Sequence, residues 1–348
     1  MRLSIPILLP LLITAACSRA PYGVTPHLSE PFPKKLSEWH LFTAGMKPNT
    51  GVIPYELNSP LFSDYAAKSR TVWMPPGQAA RYDAARTFQF PVGAIVTKTF
   101  SFNNQPVETR LLVNTKDGWI PLEYVWNHDR TEAVLEIAPD AQRIAYRHPS
   151  GETLDIDYVI PNNNQCKNCH ENAKANSPIG LRARHLNREL TYPDGTQANQ
   201  LAYWTKIGYL TGAPVDPSTA PHLVVWNDAK EGTLDQRARA YLDINCAHCH
   251  NPDGPGNTSG LNLSAFQNDM VALGECKTPV AAGRGSGNLR FAILPGHPEE
   301  SILVFRMASV EPKVMMPELG RSAVHREGLA LIREWIAAMK GTCEGRKS

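Results

Sequence analysis

Thr233-Leu234-Asp235-Gln236 opens, and Cys246-Ala247-His248-Cys249-His250 closes, the stretch that most constrains this 348-residue chain. Thr233 with Gln236 three positions later is a capping box, the signature of a helix N-terminus. Ala238, Tyr241 and Leu242 follow as an apolar stripe at helical spacing, so a helix delivers the two cysteines and the histidine after them. The same five-residue pattern stands upstream as Cys166-Lys167-Asn168-Cys169-His170. Two thiols a short turn apart can add across the two vinyl groups of one porphyrin, and the adjacent imidazole then sits under the iron. Cys-x-x-Cys-His is accordingly the attachment pattern of c-type haem. A zinc ribbon would pair its Cys-x-x-Cys knuckles about 15–20 residues apart. Here more than seventy positions separate Cys169 from Cys246, and both patterns end in histidine. A thioredoxin-like redox pair would need a strand–helix–strand context that the sequence lacks.

The N-terminus fits a compartment where such attachment occurs. Arg2 precedes an apolar stretch over residues 5–13, and Thr14-Ala15-Ala16 puts small residues before Cys17. This reads as an export signal over residues 1–16. A cysteine at the cut also matches the bacterial lipobox, with Thr14 in place of its favoured leucine. Acylation of Cys17 would anchor the mature chain in the lipid bilayer, since several acyl chains hold where one does not. No later apolar run reaches the ~20 residues that cross a bilayer. The expected location is the bacterial cell envelope, as an outer-membrane lipoprotein facing the periplasm. In that oxidising space Cys276 and Cys343, the two cysteines left over, are free to form a disulfide. A net charge of +2 without a basic block argues against nucleic acid as a partner.

Hydrophobic residues make up 42% and charged residues 20% of the chain, enough for a sizeable core, while 29 prolines and 24 glycines promise many loops. Residues 17–55 read as a Pro-rich tether with one amphipathic piece at 36–42. Over residues 56–160 short β-branched and aromatic runs alternate with turn signals, at 94–102, 110–115, 122–126, 133–137, 143–146 and 153–160. This suggests a small sandwich or barrel. Residues 161–225 carry the first haem pattern and 226–343 the second. Near the C-terminus Leu329, Ile332 and Ile336 recur at helical spacing until Gly341. The expected fold is α+β and multidomain: a β-rich N-terminal domain followed by mainly α-helical haem domains.

Each iron needs a second axial ligand. For the second haem, Met316 in Met315-Met316-Pro317 is the expected partner of His250, because a proline-stiffened loop can present sulfur. A thioether opposite histidine raises the reduction potential. Met315 is its competitor. For the first haem, His170 has no downstream Met-Pro partner, and His185, His222, Met74 or an open position remain. Asp64, Lys68, Arg70, Asp155 and Asp157 read as solvated or turn residues. Trp73, Trp119, Trp126, Trp204 and Trp226 read as ordinary packing.

With these residues in view, 226–343 resembles a class I cytochrome c domain. It has a helix into Cys-x-x-Cys-His, a Gly/Pro-rich loop, a Pro295-Gly296 segment before a short helix, a Met-Pro loop and a closing helix with Trp335. More broadly, residues 55–343 resemble a family of dihaem c-type cytochromes, often lipoproteins. The likeness lies in Leu61-Phe62-Ser63-Asp64-Tyr65-Ala66, Phe90-Pro91-Val92-Gly93, Lys98-Thr99-Phe100, Glu108-Thr109-Arg110, Tyr124-Val125-Trp126-Asn127 and Leu186-Asn187-Arg188. The resemblance implies two haem c groups and single-electron transfer between periplasmic or membrane redox proteins, with no catalytic residues. A dihaem peroxidase with one open iron is the alternative, although such enzymes place the first haem early in all-helical domains. A passive haem-bearing subunit is the third possibility.

Overall fold

The computed structural model describes residues 23–343 except 137, 139 and 281. Cys17 and the signal stretch lie outside the described residues. Six strands form one antiparallel sheet in simple chain order: β1 (Ile53–Pro54), β2 (Ala67–Trp73), β3 (Ile95–Phe102), β4 (Gln105–Thr115), β5 (Gly118–Trp126) and β6 (Ala133–Glu136). The β-branched run at 94–102 becomes β3, with a register shift at Phe100/Ser101. Asn103-Asn104, both with positive φ, turns it back into β4. A separate hairpin follows, β7 (Asp140–Arg147) with β8 (Thr153–Ile160). The turn signals thus mark the strands, and among the described residues the six-stranded sheet stays open, with β7–β8 as a separate two-stranded sheet packed on it.

Several pieces cover the sheet, among them the β7–β8 hairpin, whose Ile156, Tyr158 and Ile160 pack on Phe100, Phe102 and Val107. One face buries Trp73, Ile95, Leu111, Val113 and Tyr124 together with Leu36, Trp39, Leu41 and Val52. The stretch that reads as a tether is therefore packed from Leu36 onward, with the Trp39 indole donating to the Tyr124 hydroxyl. The other face buries Val72, Val96 and Leu112 against Leu181, Leu186, Leu201 and Trp204. Those residues come from the first haem-pattern region, so that region and the sheet share one core.

The helices are α1 (Asn163–His170), α2 (Ala183–Leu186), α3 (Gln200–Lys206), α4 (Leu234–Asn245), α5 (Met270–Leu273), α6 (Ile302–Ala308) and α7 (Arg326–Ala338). The chain is mixed, 23% helical and 26% strand with several small sheets, which overturns the expectation of mainly helical haem domains. The physical reason lies in the punctuation. Between α4 and α6, glycine and proline recur so often (Pro252, Gly254, Pro255, Gly256, Gly260, Gly274, Pro279) that only four consecutive residues stay helical. A second core holds this half together: Tyr241 and Leu242 of α4 pack on Leu329, Ile332, Trp335 and Ile336 of α7. Gly328 allows the close approach, because a Cβ there would collide with the Tyr241 ring. Cys276 and Cys343 are joined by a disulfide, with Cα atoms 5.3 Å apart.

Candidate functional site

The capping box at Thr233 closes as the sequence suggests. The Thr233 side chain accepts from Gln236 N, and Gln236 returns the bond to Thr233 N. Helix α4 ends at Asn245, and the next five residues are the second Cys-x-x-Cys-His. Asn162 caps α1 in the same reciprocal manner with Gln165, and α1 contains the whole first pattern. Both patterns are thus held at helix ends, and they meet. The Cys249 thiol lies 3.7 Å from the Asn168 carbonyl, and the ligand atoms of Cys169, His248 and Cys249 all lie within 4.8 Å of one another. The hydrogen bond from Cys249 and the nearby His248 lower the Cys169 thiol well below its ordinary range.

A cavity of about 830 Å³ opens beside the second pattern. Cys246, Cys249, His250 and Met316 all line it, and Cys169 of the first pattern reaches its wall. That volume is within the roughly 300–1,000 Å³ of small-molecule and cofactor sites. Met315 does not line it. The Met316 backbone is fixed at both ends: its N–H donates to Arg306 O at 3.0 Å, and its carbonyl accepts from the buried Arg321 guanidinium at 2.8 Å. On the opposite wall Phe62 stacks on His325 at 4.1 Å.

Hydrogen bonding leaves the expected imidazole nitrogens free. Ser259 Oγ donates to Gly256 O at 2.7 Å, so toward His250 Nδ1, 3.0 Å away, it acts as acceptor. The hydrogen is therefore on Nδ1, and Nε2 keeps its lone pair. His170 Nδ1 faces Ser177 O at 2.9 Å, which assigns its hydrogen the same way. Burial holds His250 down at about 4, and burial followed by the Lys98 ammonium holds His170 at about 3, so both rings are neutral near pH 7. Burial, then the neighbouring Asp243 carboxylate, pushes Cys246 up to about 12. Cys166, buried and donating to Glu123 Oε1 at 2.8 Å, is raised further.

The first pattern has less room. The space beside His170 and His185 is about 20 Å³, too small for a porphyrin. Its donors nevertheless suit the group. His185 is buried, its Nε2 is 2.9 Å from Asp243 Oδ1, and its Nδ1 has no hydrogen-bond partner among the described residues. Of the side chains that the sequence leaves open, only His185 shares a cavity with His170. His222 Nδ1 is engaged with Asn187 O at 2.9 Å, and Met74 is sealed in the core under the sheet. The tryptophans are core residues, and no tryptophan lines either cavity among the described residues.

Sequence reasoning missed the polar residues around the site. Asp64 is 1% exposed and accepts from Ser322 N at 2.8 Å and Ala323 N at 2.7 Å, which makes it a clamp and not a solvated turn residue. Arg70 is buried and paired with Glu56 at 2.9 Å. Asp155 faces Arg143 on the exposed hairpin, as its reading allowed. The partners of Asp64 lie more than 250 residues away, beyond the reach of any local pattern. Compared with protein-family models, curated proteins and solved structures, the chain matches none.

Proposed function

We infer that the chain is an envelope-anchored dihaem c-type cytochrome that passes single electrons between periplasmic or membrane redox proteins. One observation carries the reading: the two thiols and the imidazole of the second pattern, its Nε2 free, and a methionine 66 residues further along line one cavity of about 830 Å³. Covalent haem supplies a one-electron carrier whose potential rises with a thioether opposite histidine. Cys246, Cys249, His250 and Met316 would hold one such group, and Cys166, Cys169 and His170 the second copy. Ser259 and Ser177 orient the imidazoles, and Arg321 holds the methionine loop. Cys169 and Cys249, one from each pattern, are neighbours, which supports a relay between the two groups. Acylation at Cys17 would keep the relay at the membrane.

The Cys169–His248–Cys249 cluster favours a second reading, a metal ion bound between the two patterns. It leaves Cys166, Cys246, His170, His250 and Met316 without a role. Protein matured in a periplasm competent for haem attachment separates the two. Two haem equivalents by pyridine haemochrome, resistant to acidified acetone, are expected. Extractable pigment, or a stoichiometric metal without haem, would overturn the cytochrome reading.

A further inference from the structure

The two Cys-x-x-Cys-His patterns are docked on each other by bonds that do not involve their thiols. Ala173 N donates to Asp253 O at 2.9 Å, which ties the loop after α1 to the loop after the second pattern. The Asn251 amide reaches back to the carbonyls of Ala247 and His248, at 2.8 and 3.1 Å, and fixes the turn that carries Cys249. This docking gathers Cys169, His248 and Cys249, with their ligand atoms within 4.8 Å of one another. Among the described residues no other three histidine, cysteine or acidic side chains converge so closely.

Each feature of the trio suits one thiophilic ion. Tetrahedral zinc holds sulfur and nitrogen ligands about 3.5–3.8 Å apart, so the trio needs only small side-chain rotations to close on an ion. Two thiolates cancel the charge of a divalent cation, any proton on the sulfurs passing to solvent as it binds. Thiolate and imidazole together select zinc over the oxygen-seeking cations. His248 is a spacer of the second pattern, outside the chemistry of haem attachment, and its Nδ1 is buried without a hydrogen-bond partner among the described residues. Cys169 and His248 also border the space of about 20 Å³, which has room for one water as a fourth ligand.

We propose that the haem-free chain binds one zinc-class divalent cation through Cys169, His248 and Cys249, and that the ion leaves before haem is attached. The displacement rests on the dihaem reading; the site does not. One thiol comes from each pattern, so a bound ion blocks both attachments at once. The ion therefore belongs to the immature chain, unlike a metal held in the finished protein.

The test is a cobalt titration of the full-length chain made in cells without haem-attachment machinery, with zinc as competitor. One equivalent is expected, with thiolate-to-cobalt charge-transfer bands that zinc abolishes. C169A and C249A should each lose the site. H248A, which keeps every thiol, should bind at least about tenfold more weakly, since even outer-shell changes cost that much. C166A/C246A breaks both Cys-x-x-Cys pairs and should keep the site. Absent thiolate bands, unchanged affinity in H248A, loss of the site in a folded C166A/C246A, or a Cys169–Cys249 disulfide in place of metal overturns the proposal. H248A decides alone where C166A/C246A does not fold. Matured protein carrying two haems should take up no cobalt here. Two haems after maturation, with no metal on the haem-free chain, leave the dihaem reading standing without the site. A metal-binding chain that never acquires haem overturns the dihaem reading and keeps the site.

Discussion

Ser259 decides which nitrogen of His250 is available. Its hydroxyl hydrogen is committed to Gly256 O, so it can only accept from Nδ1–H, and such an acceptor raises the basicity of the other nitrogen. A more basic ligand favours the oxidised iron. On the proposed dihaem reading, the second haem in S259A should titrate at a higher potential, by a few-fold in equilibrium, with haem content unchanged; an equal or lower midpoint would remove Ser259 from this role. Residues of this kind mark the boundary of what the sequence discloses. Cys246, Cys249 and His250 are legible because their chemistry fixes their spacing along the chain. Met316 is legible through the proline after it. Ser259 and Arg321 act through partners set by the fold, and no pattern in their own neighbourhoods distinguishes them from surface residues.

At the scale of elements, helices and strands followed the local rules wherever those rules were strong. The Leu329, Ile332 and Ile336 stripe became the buried face of α7, and the β-branched run at 94–102 became β3. What covers the sheet was not legible. An alternating strand says that one face is buried, but not whether a second sheet or a set of short helices and loops buries it. Here Leu36, Trp39 and Leu41 cover one part of the sheet, Leu181, Leu186 and Trp204 another, and Ile156, Tyr158 and Ile160 of the β7–β8 hairpin a third, so short helices, loops and a two-stranded sheet share the burial. The Gly/Pro-rich stretch between α4 and α6 has little regular structure of its own, and the Cys276–Cys343 bond restrains it. The disulfide closes a loop of 67 residues that includes α6, the Met316 loop and α7. The chain-entropy relation puts the stabilisation at about 4 kcal/mol. C276S/C343S should unfold at correspondingly lower denaturant, and the Arg321 hold on the Met316 loop should be lost before the sheet melts. Coincident loss of both, with an unchanged midpoint, would contradict this account.

The whole molecule is closed by a short loop of the sheet region gripping the C-terminal half. Asp64 (φ 50°) and Tyr65 (φ 63°) both adopt the left-handed conformation, unusual for two successive non-glycine residues, and this aims both side chains at 321–327. Asp64 accepts from the Ser322 and Ala323 amides, and the Tyr65 hydroxyl donates to Val324 O and accepts from Arg326 N. Phe62 stacks on His325, whose Nδ1 is 3.1 Å from the Tyr241 hydroxyl. Burial holds His325 down at about 4, with Glu327 opposing and Lys68 adding to the shift. The unfolded chain takes a proton on this ring near pH 6.5, whereas the folded chain does not until about pH 4. Between those values the unfolded state binds more protons, so stability falls as pH falls, and below pH 4 this contribution levels off. The loss is on the order of 3 kcal/mol. Urea midpoints measured from pH 7 to pH 4 should decline in the wild type and decline less in H325F, which keeps the stack on Phe62 without the titrating nitrogen. Parallel curves for the two proteins would mean that another buried group drives the acid limb. A flatter H325F curve would identify the contact between the sheet loop and the C-terminal half as the acid-labile joint of the molecule.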